Sequence, residues 1–138
     1  MQGTVIIKKL LLSIIILIIF LLGFIYFHPK KINMEKFEKA EVLFLYENNN
    51  ELHSLSDKEL ELVKSIFNGK KIYKDNLSCG FSENISIKFD QEHTFCIARD
   101  TCPIVYWKEK DRYIKLSDDE KTQLYNLLEP YGFHFPCL

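Results

Sequence analysis

From Leu10 to Phe27 the chain reads L-L-L-S-I-I-I-L-I-I-F-L-L-G-F-I-Y-F, a run without one charged residue. A helix rises about 1.5 Å per residue, so the run spans roughly 27 Å, close to the hydrocarbon thickness of a bilayer. A chain of 138 residues has no interior large enough to surround such a rod. The run therefore predicts a membrane segment. Ser13 and Gly23 alone dilute it, and a helical serine hydroxyl can bond back to the preceding turn. Tyr26 and Phe27 fall at the interfacial level where aromatic rings settle.

Lys8 and Lys9 before the run resemble the basic head of a signal peptide, but the exit G-F-I-Y-F-H-P-K-K lacks the small residues of a cleavage site. No cysteine follows closely enough to carry a lipid. The expectation is an uncleaved signal anchor, with a basic tail over residues 1–9, the anchor over 10–27, a polar connector over 28–39 and a domain over 40–138. Lipid is thus the partner of residues 10–27. Lys8 and Lys9 favour an inside N-terminus, whereas Lys30, Lys31, Lys36 and Lys39 pull the other way. The short N-terminal tail and the cysteine usage below favour a domain facing outward, on the extracytoplasmic side.

All 19 acidic residues lie beyond residue 33, together with 14 of the 18 basic ones. An acidic domain is a poor electrostatic match for nucleic acid. Within it, A-E-V-L-F-L-Y (Ala40 to Tyr46) is rich in β-formers and runs into the turn cluster E-N-N-N. S-D-K-E from Ser56 is a capping box, and Leu60, Val63, Ile66 and Phe67 follow at helical spacing until Asn68-Gly69 stops the helix. N-I-S-I-K-F-D (Asn84 to Asp90) alternates, Q-E-H turns the chain, and T-F-C-I-A-R-D returns. After Pro103, I-V-Y-W-K and R-Y-I-K-L flank a charged turn at Glu109 to Asp111. S-D-D-E from Ser117 opens a second helix with Leu124, Leu127 and Leu128 on one face, ended near Pro130. The predicted class is α+β: an antiparallel sheet built from one strand and then two hairpins, with two helices on one face.

The four cysteines, Cys79, Cys96, Cys102 and Cys137, all follow the membrane segment. Four allow three pairings. If Cys96 to Cys102 is extended, its ends stand roughly 20 Å apart, whereas a disulfide needs Cα atoms within about 7 Å. These two thiols then need separate partners. If Gln91 and Glu92 form the hairpin turn, facing residues sum to about 183, which sets Cys102 opposite Phe81 and near Cys79. That register favours Cys79–Cys102 and leaves Cys96 for Cys137. A turn one residue longer flips the faces of one strand and keeps Cys79–Cys96 with Cys102–Cys137 open. Closing the loop of about 24 residues between Cys79 and Cys102 stabilises by roughly 3 kcal/mol through the unfolded state.

C-x-x-C spacing, expected of a zinc or thioredoxin-like centre, is absent, although the thiols with His93 or His134 remain an alternative ligand set. No cysteine stands out as a nucleophile, and neither a cofactor motif nor a catalytic constellation is evident. Asp100, before T-C-P, is expected to bond turn amides. Tyr106, Trp107 and Tyr113 cluster on the second hairpin, where alternation sends at least one of Tyr106 and Trp107 away from the core. The cluster is expected mainly to pack; with Lys108, Lys110 and Arg112 nearby, an exposed member is also a candidate contact residue for a protein partner at the cell surface or for the lipid surface.

C-G-F at Cys79, A-R-D-T-C-P at Ala98 and Y-G-F-H-F-P-C at Tyr131 resemble segments of small, uncharacterised membrane-anchored proteins of low-GC Gram-positive bacteria. The resemblance implies a bacterial cell-surface setting; it implies no activity and transfers no functional residue. The sequence thus points to a membrane-anchored binding domain. Its alternatives are a surface enzyme or zinc protein using Cys and His, and a small structural subunit of a membrane complex.

Overall fold

The computed structural model describes residues 2–46, 49–74 and 79–134. Two compact units divide the chain, residues 1–30 and residues 31–138. The first consists of helix α1, Gln2–Phe27. Its segment Ile6–Phe27 is long and apolar enough to cross a membrane, and the large apolar side chains along it, from Ile6 to Phe27, are all exposed.

The second unit is α+β. Its strands are β1 (Ala40–Tyr46), β2 (Asn49–Ser54), β3 (Phe81–Phe89), β4 (His93–Ala98), β5 (Ile104–Trp107) and β6 (Arg112–Lys115); its helices are α2 (Asp57–Phe67) and α3 (Asp118–Leu128). All the strands pair antiparallel in one sheet of order β2-β1-β3-β4-β5-β6. The strand and two hairpins expected from the sequence are present, and β2 joins them as a further edge strand. N-N-E-L-H-S has little β-propensity; it is a strand because β1 supplies its ladder, and polar composition suits an edge.

Alternation gives the sheet one helix-packed face. Val42, Phe44, Ile85, Ile87, Phe89, Phe95, Ile97, Val105, Trp107 and Ile114 face the core, where α2 adds Leu60, Val63, Ile66 and Phe67 and α3 adds Leu124, Leu127 and Leu128. Phe67 bridges the layers, its ring 5.4 Å from Phe95 and 6.4 Å from Phe89. Both helices therefore lie on one face, as their apolar stripes require.

The connector anticipated over residues 28–39 divides in two. From Lys31 onward the chain belongs to the folded unit, and Ile32, Met34 and Phe37 are buried in its core. Ile32 exchanges backbone bonds with the loop after α2, its N–H donating to Lys70 O and its carbonyl accepting from Gly69 N–H, both at 2.9 Å. Asn68 Oδ1 accepts from Met34 N–H at 3.0 Å, and Gly69 takes the left-handed turn (φ 72°) that ends the helix. Polar neighbours hide this apolar i, i+2, i+5 set from a reading based on composition. Burial of Met34 and Phe37 stabilises by about 1.5–3 kcal/mol each.

Both capping boxes form, with different geometry. In α3, Ser117 Oγ accepts from Glu120 N–H at 3.2 Å while the Glu120 carboxylate accepts from Ser117 N–H at 2.8 Å. In α2, Glu59 Oε2 accepts from Ser56 N–H at 2.9 Å and from Ser56 Oγ at 2.6 Å. Tyr131, beyond α3, donates its hydroxyl to Glu59 Oε1 at 2.9 Å, tying the start of α2 to the end of the fold. Glu120 also pairs with Lys70. The hydrogen bonds from Ser56 hold the Glu59 carboxyl below its ordinary range. For Glu120, burial pushes upward, but the bonds from Lys70 and Ser117 outweigh it and leave that carboxyl low as well.

Carboxyls whose folded pKa is depressed stabilise the fold above their unfolded pKa and lose that contribution as pH falls through the folded value. Trp107, the single tryptophan, is core-facing and reports unfolding by fluorescence. The thermal midpoint is expected to fall on acidification below about pH 4.5, near an ordinary glutamate pKa. Glu120→Gln should cost about 1 kcal/mol at pH 7 and flatten that acid limb. A variant curve parallel to wild type through the acid range would contradict this.

Candidate functional site

The β3–β4 hairpin turns over Asp90, Gln91 and Glu92, one residue more than Q-E alone, with Asp90 and Gln91 in left-handed conformations (φ 47° and 61°). Asp90 Oδ1 accepts from Lys39 N–H at 3.0 Å and Glu38 N–H at 3.3 Å, which anchors the turn to the start of β1. Phe89 faces His93, Ile87 faces Phe95 and Ser86 faces Cys96. By itself this longer turn reverses the facing that favoured Cys79–Cys102. The ladder then slips: the next pair is Phe81 with Ala98, so β3 takes five steps where β4 takes two. This odd-numbered slip undoes the reversal. Cys79 bonds Cys102, with Cα atoms 6.9 Å apart, and Cys96 is a free thiol. Cys137, the partner expected for Cys96, lies outside the described residues.

The slip also builds a groove. Residues Ser82 to Asn84 bulge away from the β4 ladder, held by Ser86 Oγ donating to Glu83 O at 2.8 Å and Asn84 N–H donating to Ser82 Oγ at 3.2 Å, while Ile85 stays paired with Phe44 of β1. Glu83 reaches across to Lys108 Nζ at 2.6 Å. This bond holds the Lys108 ammonium above its ordinary pKa. The resulting cavity, about 550 Å³, is open to solvent and lies between Phe81 with the bulge residues Glu83 and Asn84 on one side and Tyr106 of β5 with Lys108, the residue after β5, on the other; Cys96 is also in its lining. It occupies the sheet face opposite the helices.

Three aromatic rings mark one side of it. Phe81 lies 5.6 Å from Tyr106 and 5.7 Å from Tyr113, and the two tyrosines are 5.0 Å apart. Tyr106 donates its hydroxyl to Asp111 Oδ1 at 3.2 Å, and burial together with that bond raises its pKa. Tyr113 is fixed through its backbone, exchanging two hydrogen bonds with Tyr73 at the outer edge of β6.

Of the three aromatic contact candidates, Tyr106 and Tyr113 come together on this face. Trp107 turns to the core, stacked on Phe95 at 5.1 Å, and its Nε1 has no hydrogen-bond partner among the described residues. Phe81 and Glu83 were not among the sequence candidates. The polar triplet S-E-N before an alternating strand is the signal that marks them, since it suits a bulge better than a ladder.

Cys96 is 1% exposed. Burial, reinforced by the negative charges of Glu83 and Glu109, pushes its thiol up to about 11. A thiol so little ionised at neutral pH is a poor nucleophile and a poor metal ligand. His93 sits 5.0 Å from Phe37 and 5.7 Å from Trp107, packed at the core edge. His134 lines a separate hollow of about 240 Å³ with Tyr125 and Glu129. Among the described residues neither histidine belongs to a metal-ligand cluster, and the one such grouping is Cys79, Asp100 and Cys102. Asp100 bonds a turn amide as expected, accepting from Cys102 N–H at 3.0 Å. Another hollow, about 290 Å³, is lined by Glu38, Lys39 and Asp90, whose carboxylate is already engaged by the Glu38 and Lys39 N–H groups.

No family model, no curated protein and no solved structure matches this chain.

Peptide mapping after alkylation of the folded protein should leave Cys96 unmodified, and alkylation in denaturant without reductant should modify it. Rapid labelling of Cys96 in the native state would contradict its burial. A requirement for reductant in denaturant would contradict its free thiol.

Proposed function

We propose that this chain is a single-pass membrane protein whose extracytoplasmic domain works by binding a protein partner at the cell surface. The observation that carries the reading is the coexistence of an apolar helix with its side chains exposed and a disulfide-bonded domain after it. Exposed side chains of this kind from Ile6 to Phe27 are stable against lipid and unstable against water. A disulfide persists in an oxidising compartment. A signal anchor with Lys8 and Lys9 on the inside joins these two settings across one bilayer.

The groove is the contact surface in this reading. Aromatic residues beside a charged rim are the composition that protein interfaces favour, and Phe81, Tyr106 and Tyr113 lie beside the Glu83–Lys108 pair. The suppressed Cys96 thiol argues against covalent catalysis in the same place. The setting implied by the sequence resemblance, a bacterial cell surface, agrees with this proposal.

Cross-linking and affinity capture of the full-length chain from its native membranes test it. Wild type should co-purify a surface protein, and Tyr106→Ala combined with Tyr113→Ala should reduce that capture at least about tenfold while the chain stays in the membrane. Replacing residues 10–27 with an unrelated membrane helix should leave capture intact. Capture indifferent to the tyrosines would overturn the groove as the contact surface. Capture lost with the helix swap would instead favour a structural subunit docked through its anchor.

A further inference from the structure

Cys79, Cys102 and Asp100 bring two sulfurs and a carboxylate oxygen within 4.8 Å of one another. The backbone holds them there by contacts that do not include the disulfide. Phe81 pairs with Ala98 in the ladder, and Arg99 N–H donates to Gly80 O at 3.5 Å, fixing the strand ends that carry the two cysteines. The loop from Arg99 to Cys102 is further held from α3, where Tyr125 donates its hydroxyl to Asp100 O at 3.3 Å and Lys121 Nζ donates to Thr101 O at 3.4 Å. Asp100 accepts the Cys102 N–H, which orients its carboxylate toward the cysteine loop.

Tetrahedral zinc takes sulfur at about 2.3 Å and carboxylate oxygen at about 2.0–2.2 Å, so its ligand atoms stand roughly 3.5–3.8 Å apart. The three groups need small adjustments to reach that spacing. Two thiolates and one carboxylate select a zinc-class ion over calcium or magnesium. Asp100 is exposed and both cysteines are half-buried, which leaves a side open for water as a fourth ligand.

We propose that Cys79, Cys102 and Asp100 form a redox-conditional site for one zinc-class divalent cation. A dithiol reductant opens the bridge: the two cysteine sulfurs gain two electrons and two protons, and the reductant closes to its own cyclic disulfide. Metal binding then releases both thiol protons to solvent. In the oxidised state only the Asp100 carboxylate remains as a ligand, and the site does not hold the ion. Bound metal would join the same two chain segments that the disulfide joins. This inference is independent of the groove.

The test is cobalt titration of the full-length chain in detergent micelles, either oxidised or reduced with a dithiol and desalted without oxygen. Reduced wild type should bind one Co²⁺ with a sulfur-to-cobalt charge-transfer band, and oxidised wild type none. Cys79→Ser and Cys102→Ser should each abolish the band. Asp100→Asn should keep it and weaken affinity at least about tenfold, and Cys96→Ala should leave it unchanged. The serine variants lose no cross-link that reduced wild type still has, and Trp107 fluorescence shows whether each protein is folded. A band absent from reduced wild type, or one that survives both serine substitutions, overturns the proposal. Unfolding of reduced wild type overturns it too, because the ligand loop would then depend on the bridge.

Discussion

Five steps along β3 from Phe81 to Ser86, set against two along β4 from Cys96 to Ala98, fix the register on which the rest of this domain depends. One irregularity has two consequences. It carries the segment before β3 to the loop after β4, where Cys79 meets Cys102, and it pushes Glu83 and Asn84 out of the sheet to wall the groove. Bulges suit such work because an unpaired residue re-aims its neighbours without breaking the strand on either side. Ser86, fully buried, supports the bulge by capping the Glu83 carbonyl.

The parts of the fold dominated by local chemistry were legible in the sequence. Capping boxes at Ser56 and Ser117, apolar stripes behind them and the uncharged run of α1 each contain their own instruction. Strand β2 was not legible, because N-N-E-L-H-S becomes a strand only through pairing with β1. Ile32, Met34 and Phe37 were hidden for a similar reason: they pack against distant residues from within a lysine-rich segment. The candidate site was half legible. Alternation required Tyr106 and Trp107 to part company, and they do, but register decides that Phe81 joins the tyrosines. The Cys79–Cys102 pairing emerged from a simple hairpin register, whereas the molecule reaches it through a longer turn and a compensating slip.

Stability and chemistry are separated by face. The helices and the Trp107–Phe95 stack occupy one side of the sheet; the groove, with its ion pair, its three aromatic rings and buried Cys96, occupies the other. Substitutions at Tyr106 or Tyr113 therefore act mainly on the exposed side and leave the helix-packed core in place. The disulfide, closing the open end of the β3–β4 hairpin, belongs to both sides, since it restrains the strand end from which Phe81 enters the groove.

Non-reducing peptide mapping by mass spectrometry, on full-length protein alkylated at the moment of extraction from its native membranes, tests the central claim most directly. A cross-linked peptide pair joining Cys79 to Cys102 is the expected product. Recovery of both cysteines as alkylated thiols, or of Cys79 linked to Cys96, would contradict the register and the compartment inferred from it.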